Sequence, residues 1–260
     1  MPPQESHNTV YGTVSSKCGH ERPHGLKPVA RHCQGAEMQG TNRLLISGSI
    51  LAGDLLNLEE AIRVCERAGA DMLHLDICDG HFVPTISFGE ALVRRTCEAA
   101  RLPVEVHLMV SRPEDWITRM AGMGQFRMSF HLEATWRAMG VVQAIERAGM
   151  KAGVAMNPET PATAVETLLP YIDNVCIMGI APGFAGQKLL EYTYTKIADV
   201  RALIEKTSSV ATITVDGGAK AENARRLVEA GADILVVSSG IFGHMNPEES
   251  LNEFHRHEAG

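Results

Sequence analysis

The chain has 260 residues, 45% of them hydrophobic and 21% charged, which is enough for one sizeable core in a globular fold. A formal charge of -7 speaks against the broad basic footprint of a nucleic-acid binder, and no apolar run approaches the roughly 20 residues of a membrane-spanning helix. Six scattered cysteines without a CxxC pair exclude a disulfide scaffold and point to reduced thiols in the cytoplasm.

Residues 1–40 show no sustained apolar period and are rich in Pro, Gly, Ser and His, which predicts a disordered extension ahead of a single domain over 41–260. Cys18, His20, His24, His32 and Cys33 lie there at spacings that match no structural zinc pattern. Glu5, Glu21 and Glu37 are unlike an organellar transit peptide, and Met38 is an alternative start. From Leu44 onward, short apolar runs alternate with longer segments of helical period. LLISGSIL precedes NLEEAIRVCERAG, DMLHLDI precedes FGEALVRRTCEAA, PVEVHLMV precedes PEDWITRMAGMG, and FRMSFHL precedes WRAMGVVQAIERAG. The alternation continues with KAGVAMN and PATAVETLLPY, DNVCIMGI and LEYTYTKIADVRALIEK, ATITVD and AENARRLVEAGA, and DILVVS and PEESLNEFH. Glycine closes several helices, as at Gly69, Gly149 and Gly231. Eight strand-helix units predict a (β/α)8 TIM barrel. A doubly wound sheet would show a glycine fingerprint after its first strand, and SGSILAGD has none. Trp116 and Trp136, at helix starts, are expected to pack.

Catalytic groups of such a barrel stand at the C-terminal ends of its strands. In HLDICDG, His74 and Asp76 are two residues apart, so both point inward while Leu73, Leu75 and Ile77 point under the helices. Burying His and Asp requires a partner, and a metal ion would serve. The third strand adds His107, with Glu105 and Met109 on the same face, and the seventh ends on Asp216. Two imidazoles and two carboxylates suit one divalent cation, zinc first, with iron, manganese or cobalt also accommodated, in an open catalytic site. Cys78 reads as pocket lining rather than a ligand, and His81 as a loop residue. His131 and Glu133 border the pocket outside the ligand set. Glycine-rich loops at 181–187, 216–219 and 238–243 follow strands six, seven and eight, where backbone N–H groups cradle phosphate without many cationic side chains.

With these residues assembled, the chain over 44–250 resembles the ribulose-phosphate 3-epimerase family. The similarity lies in HLDICDGHFVP, VEVHLM, GVAMNPETP, PGFAGQ and VDGG. It implies a barrel of the ribulose-phosphate-binding type that interconverts D-ribulose 5-phosphate and D-xylulose 5-phosphate in the pentose phosphate pathway. By this resemblance His74, Asp76, His107 and Asp216 hold the metal, and Asp76 and Asp216 are also the acid/base pair. Ser49 matches a substrate-contacting serine, and Met109 and Met178 match thioethers over the reacting carbons. Gly183, Phe184, Ala185, Gly186, Gly217, Gly218, Ser238 and Ser239 fall at the substrate and phosphate site. Members of the family commonly self-associate, so a homo-oligomer is expected. Cys78, Gly48, Ala52, Gly53, Gly179, Ala181 and Ser238 depart from the family's usual residues without touching the metal or acid/base set. Glu159, Ala185 and SSGIF are similar to D-allulose 6-phosphate 3-epimerases, which leaves a hexulose phosphate as the alternative substrate. A non-catalytic sugar-phosphate binder is the alternative of another class. The Asp-x-Lys-x-x-Asp array of barrel decarboxylases is not matched, since Ile77 and Cys78 separate Asp76 from Asp79.

Overall fold

The structure, a computed structural model, describes residues 43–256 except Gln125 and Ala185. The expectations for residues 1–40, for Ala185 and for His257 therefore lie outside the described residues. Eight parallel strands close into a barrel in sequential order: β1 (Leu45–Ser49), β2 (Met72–Cys78), β3 (Val104–Met109), β4 (Arg127–His131), β5 (Lys151–Met156), β6 (Asn174–Met178), β7 (Thr212–Asp216) and β8 (Ile234–Val237). Around them run α1 (Leu58–Ala68), α2 (Glu90–Ala99), α3 (Pro113–Met120), α4 (Ala138–Arg147), α5 (Thr193–Thr207), α6 (Ala221–Ala230), the short α7 (Ser239–Phe242) and α8 (Pro247–Arg256). No helix among the described residues is long and apolar enough to cross a membrane.

In β2, β3, β4 and β7 aliphatic and aromatic residues alternate with polar ones, so one face packs under the helices and the other lines the barrel. Leu73, Leu75 and Ile77 of β2 have no exposed surface and join α1 residues Ala61, Ile62 and Cys65 in the outer core. Glycine ends the helices as the sequence implied. Gly69, Gly149 and Gly231 follow α1, α4 and α6 with φ of 84°, 81° and 114°, where a side chain would be strained.

Three expectations are corrected. PATAVETLLPY forms two 3-10 turns, Ala162–Val165 and Leu169–Tyr171, instead of a helix. Pro161 permits a helical start, but Pro170 and the β-branched Thr163 and Thr167 disfavour continuation over so short a span. Trp136 precedes α4 and is 92% exposed rather than packed, while Trp116 on α3 does rest against the core. SSGIF, read as a glycine-rich loop, winds into α7.

The inner face is strongly polar. His74, Asp76, Glu105, His107, Arg127, Ser129, His131, Asn174, Thr214 and Asp216 are all buried. Burial on this scale needs internal partners. Toward the lower end of the barrel, Asn174 Nδ2 donates to the Thr214 hydroxyl at 2.8 Å and to the Thr212 hydroxyl at 3.0 Å. Toward the upper end, the polar groups converge on a single point.

Candidate metal and sugar-phosphate site

Register sets Asp76 level with His107, while His74 stands one inward position lower on β2, level with Glu105 and Ser49. Asp76 pairs with His107 across β2 and β3, and Asp216 ends β7 opposite Met178 of β6. Around the closed sheet β7 stands three strands from β2 and four from β3, so Asp216 approaches the other three from the far wall. One ligand atom from each of His74, Asp76, His107 and Asp216 lies within 4.8 Å of every other. The inward nitrogens are Nε2 of His74, 3.1 Å from Asp76 Oδ1 and 3.6 Å from Asp216 Oδ2, and Nδ1 of His107, 3.4 Å and 3.0 Å from the same oxygens.

His107 Nδ1 lies 3.0 Å from Asp216 Oδ2, yet it has no hydrogen-bond partner of acceptable geometry. The four ligand atoms lie close enough together to reach one ion between them, as ligation requires. Two neutral imidazole nitrogens and two carboxylates fit a borderline divalent cation.

The electrostatics agree with that fit. Burial disfavours the charged form of each group, but their mutual attraction prevails. The Asp76 and Asp216 carboxylates hold His74 well above its ordinary value, and they raise His107 to about 9. Conversely, burial opposes ionisation of Asp76 and Asp216, but the imidazoles depress both, Asp216 to about 2. Imidazolium and carboxylate thus favour each other here, and a divalent ion would bring the charge of the two imidazole protons it displaced. Cys78 behaves differently: burial pushes its thiol up to about 11, so it faces the cavity as a neutral thiol.

Each ring also has a partner behind it. His74 Nδ1 lies 3.4 Å from Glu105 Oε2, and His107 Nε2 lies 2.9 Å from His131 Nε2. Period-two alternation had placed Glu105 and His131 inward but assigned no partner to either, because the pairing depends on strand register. Ser49, expected to contact substrate, lies in the cavity wall and donates to Asp76 Oδ2 at 2.8 Å. This bond orients the carboxylate.

Beside the cluster opens a cavity of about 340 Å³. Met109, Met178 and Cys78 form a thioether and thiol wall next to the two aspartates. Gly183, Phe184 and Gly186 come from the loop after β6, Gly217 and Gly218 from the loop after β7, and Ser238 and Ser239 from the start of α7. All the described residues expected at the phosphate site therefore share one cavity. Gly218, at φ 76°, has no room for a side chain, since a β-carbon would lie 2.8 Å from the Leu189 backbone nitrogen. Gln187, at the end of PGFAGQ, also lines the cavity, as do Thr85 and Lys220, which no motif signalled. Lys220 is the single cationic side chain among the described lining residues.

The loops over the cavity are fastened to one another. Asp79 accepts the N–H groups of His81, Phe82 and Ser111, each at 2.8 Å, joining the loops after β2 and β3. The exposed His81 ring turns to the Asp79 carbonyl at 3.0 Å and away from the cluster. Thr85 Oγ1 donates to the Gly183 carbonyl at 2.7 Å, tying the loop after β2 to that after β6.

The family description for the ribulose-phosphate 3 epimerase family matches residues 45–242. The chain belongs to this family. It is an enzyme of the epimerase class. The ribulose-phosphate 3-epimerase of Aquifex aeolicus is 39% identical over 76% of this chain and 90% of its own length. That of Bacillus subtilis is 37% identical over 80% of this chain and 96% of its own. Among solved structures, orotidine 5′-phosphate decarboxylase from Pyrococcus horikoshii superposes with a TM-score of 0.59, covering 83% of this chain and 100% of that one. At 18% identity that likeness shows the barrel fold alone.

Proposed function

We propose that the chain is a metal-dependent 3-epimerase of D-ribulose 5-phosphate and D-xylulose 5-phosphate. One observation carries the reading: two carboxylates from different walls meet two imidazoles at the mouth of a barrel, next to a glycine-rich cradle. His74, Asp76, His107 and Asp216 would hold the cation. A divalent ion bound there would supply Lewis acidity to the ketose.

The protein's own groups do the rest. The backbones of Gly183, Gly186, Gly217 and Gly218, with Ser238 and Ser239, receive the phosphate, and Lys220 adds positive charge. An acidic chain can thereby bind a dianion. One aspartate removes the C3 proton from one face, leaving an enediolate across C2 and C3, and the other returns a proton to the opposite face. Asp76 and Asp216 exchange these roles with the direction of reaction. Met109 and Met178, both nearly buried, exclude water from the carbon in between. Ser49 steadies Asp76 through its hydrogen bond.

A second reading keeps the reaction and lengthens the substrate to D-allulose 6-phosphate. Cys78 favours it: its short side chain, a departure from the family's usual residue, lines the cavity beside Met109 and leaves room for another carbon. Comparison of kcat/KM on the two sugar phosphates, with elemental analysis of the purified protein, tests both. Faster turnover of the pentulose phosphate with about one divalent ion per chain is expected. A hexulose preference would replace the substrate and keep the mechanism, whereas full activity after exhaustive chelation would overturn the metal reading.

A further inference from the structure

We infer that His131 and Glu133 form a positioning relay that fixes the ring nitrogen through which His107 faces the cation. The inference rests on the metal reading above and concerns residues outside the ligand set. It follows from donors and acceptors alone. The peptide N–H of Asn157 can only donate, and it lies 2.8 Å from Glu133 Oε1, which also accepts the Thr160 hydroxyl. Glu133 is thereby committed as a carboxylate acceptor. Its other oxygen lies 3.3 Å from His131 Nδ1, so that nitrogen carries the hydrogen. His131 Nε2 is then a bare acceptor. Its neighbour at 2.9 Å is His107 Nε2, which must be the N–H. In the neutral, ligating form of the ring this leaves the lone pair on Nδ1, the nitrogen that faces Asp76 and Asp216 and has no hydrogen-bond partner there.

A backbone amide in the loop after β5 thus sets the protonation of a ring on β3 through a chain of hydrogen bonds. The Phe82 ring, 4.7 Å from the His131 ring, covers the relay. His74 has the opposite arrangement, with Nε2 inward and Nδ1 against Glu105. The two ligand rings are therefore held in different tautomers by different supports.

The test is cobalt(II) binding to the full chain, measured by competition with a chromophoric chelator, together with the visible spectrum of the bound ion. In Glu133→Gln the Asn157 N–H still claims the amide oxygen, so the amide NH₂ faces His131 Nδ1 and reverses the whole series. Affinity should fall about tenfold to a hundredfold with an altered cobalt spectrum. Glu133→Asp, which keeps an ionised acceptor, should recover part of the loss. Affinity and spectrum unchanged in Glu133→Gln would overturn the relay and leave the metal reading standing. A wild-type chain that binds no cobalt would overturn both. A measurement on the wild type does not depend on how variants fold: in the zinc-loaded protein, ¹⁵N-histidine spectra should show His107 protonated at Nε2 and His74 at Nδ1. His107 protonated at Nδ1 would refute the relay.

Discussion

The two faces of β2 carry opposite chemistry within seven residues. Outward, Leu73, Leu75 and Ile77 are fully buried beneath the helices, where their packing holds strand to shell. Inward, His74 and Asp76 are just as deeply placed, but they are held by charge and hydrogen bonds. The contrast teaches that in this barrel stability and chemistry are separated by one peptide step. A strand alternates with period two, so neighbouring residues serve different environments.

Substitutions on the two faces should accordingly fail in different ways. On the inner face, Asp76→Asn or Asp216→Asn removes a proton-transfer group, and epimerisation measured by a coupled assay should fall by at least about 10³-fold. On the outer face, Leu75→Ala deletes fully buried methyl groups and should cost about 2–5 kcal/mol in denaturant unfolding, while the folded fraction keeps its turnover. Equal loss of activity and stability from either substitution would erase the distinction.

A smaller effect is expected at the cradle. Gly218→Ala places a methyl group against the Leu189 backbone at positive φ, so it should cost about 1–3 kcal/mol of stability and raise KM for the phosphorylated substrate.

The smallest effect is graded by pH. Burial lowers the His107 pKa and the two carboxylates raise it more, to about 9 from 6.5, so in the metal-free protein this pairing stabilises fully below 6.5 and is lost as pH rises through 9. Asp216, depressed to about 2 from 3.8, contributes above 3.8 and loses its contribution as pH falls through 2. A cation must displace the imidazole protons. Its affinity should therefore rise with pH through the neutral range, by about tenfold per unit for each proton released, as titration calorimetry in buffers of different ionisation enthalpy would show. Affinity independent of pH would mean that the imidazoles are not ligands.

Much of this was legible in the sequence because it is local. The alternation of HLDICDG shows which residues of β2 face inward, and glycine after a helical period marks the helix ends. The segment after β5, PATAVETLLPY, was misread because its apolar spacing is compatible with a helix, whereas Pro170 interrupts the backbone hydrogen bonds. Of the relay only the members were legible, His131 and Glu133 beside the pocket at the end of the fourth strand, and not their connection. His107 and His131 meet only because β3 and β4 pair with His107 opposite Ser129, which lets His131 reach across one step higher. Glu133 joins them through Oε2, while its Oε1 accepts the backbone N–H of Asn157, 24 residues away. Thr85 and Lys220 were missed for the same reason: loops from different strands meet over the cavity, and one-dimensional spacing does not encode that meeting.

The central claim is that Asp76 and Asp216 move a proton on opposite sides of one carbon. Incubating the metal-loaded protein with D-ribulose 5-phosphate in deuterium oxide and following C3 by NMR addresses it directly. The account predicts deuterium at C3 of the xylulose 5-phosphate formed, and loss of this exchange in each aspartate variant. Tight binding of the sugar phosphate without exchange, or exchange undiminished when both aspartates are replaced by asparagine, would contradict it.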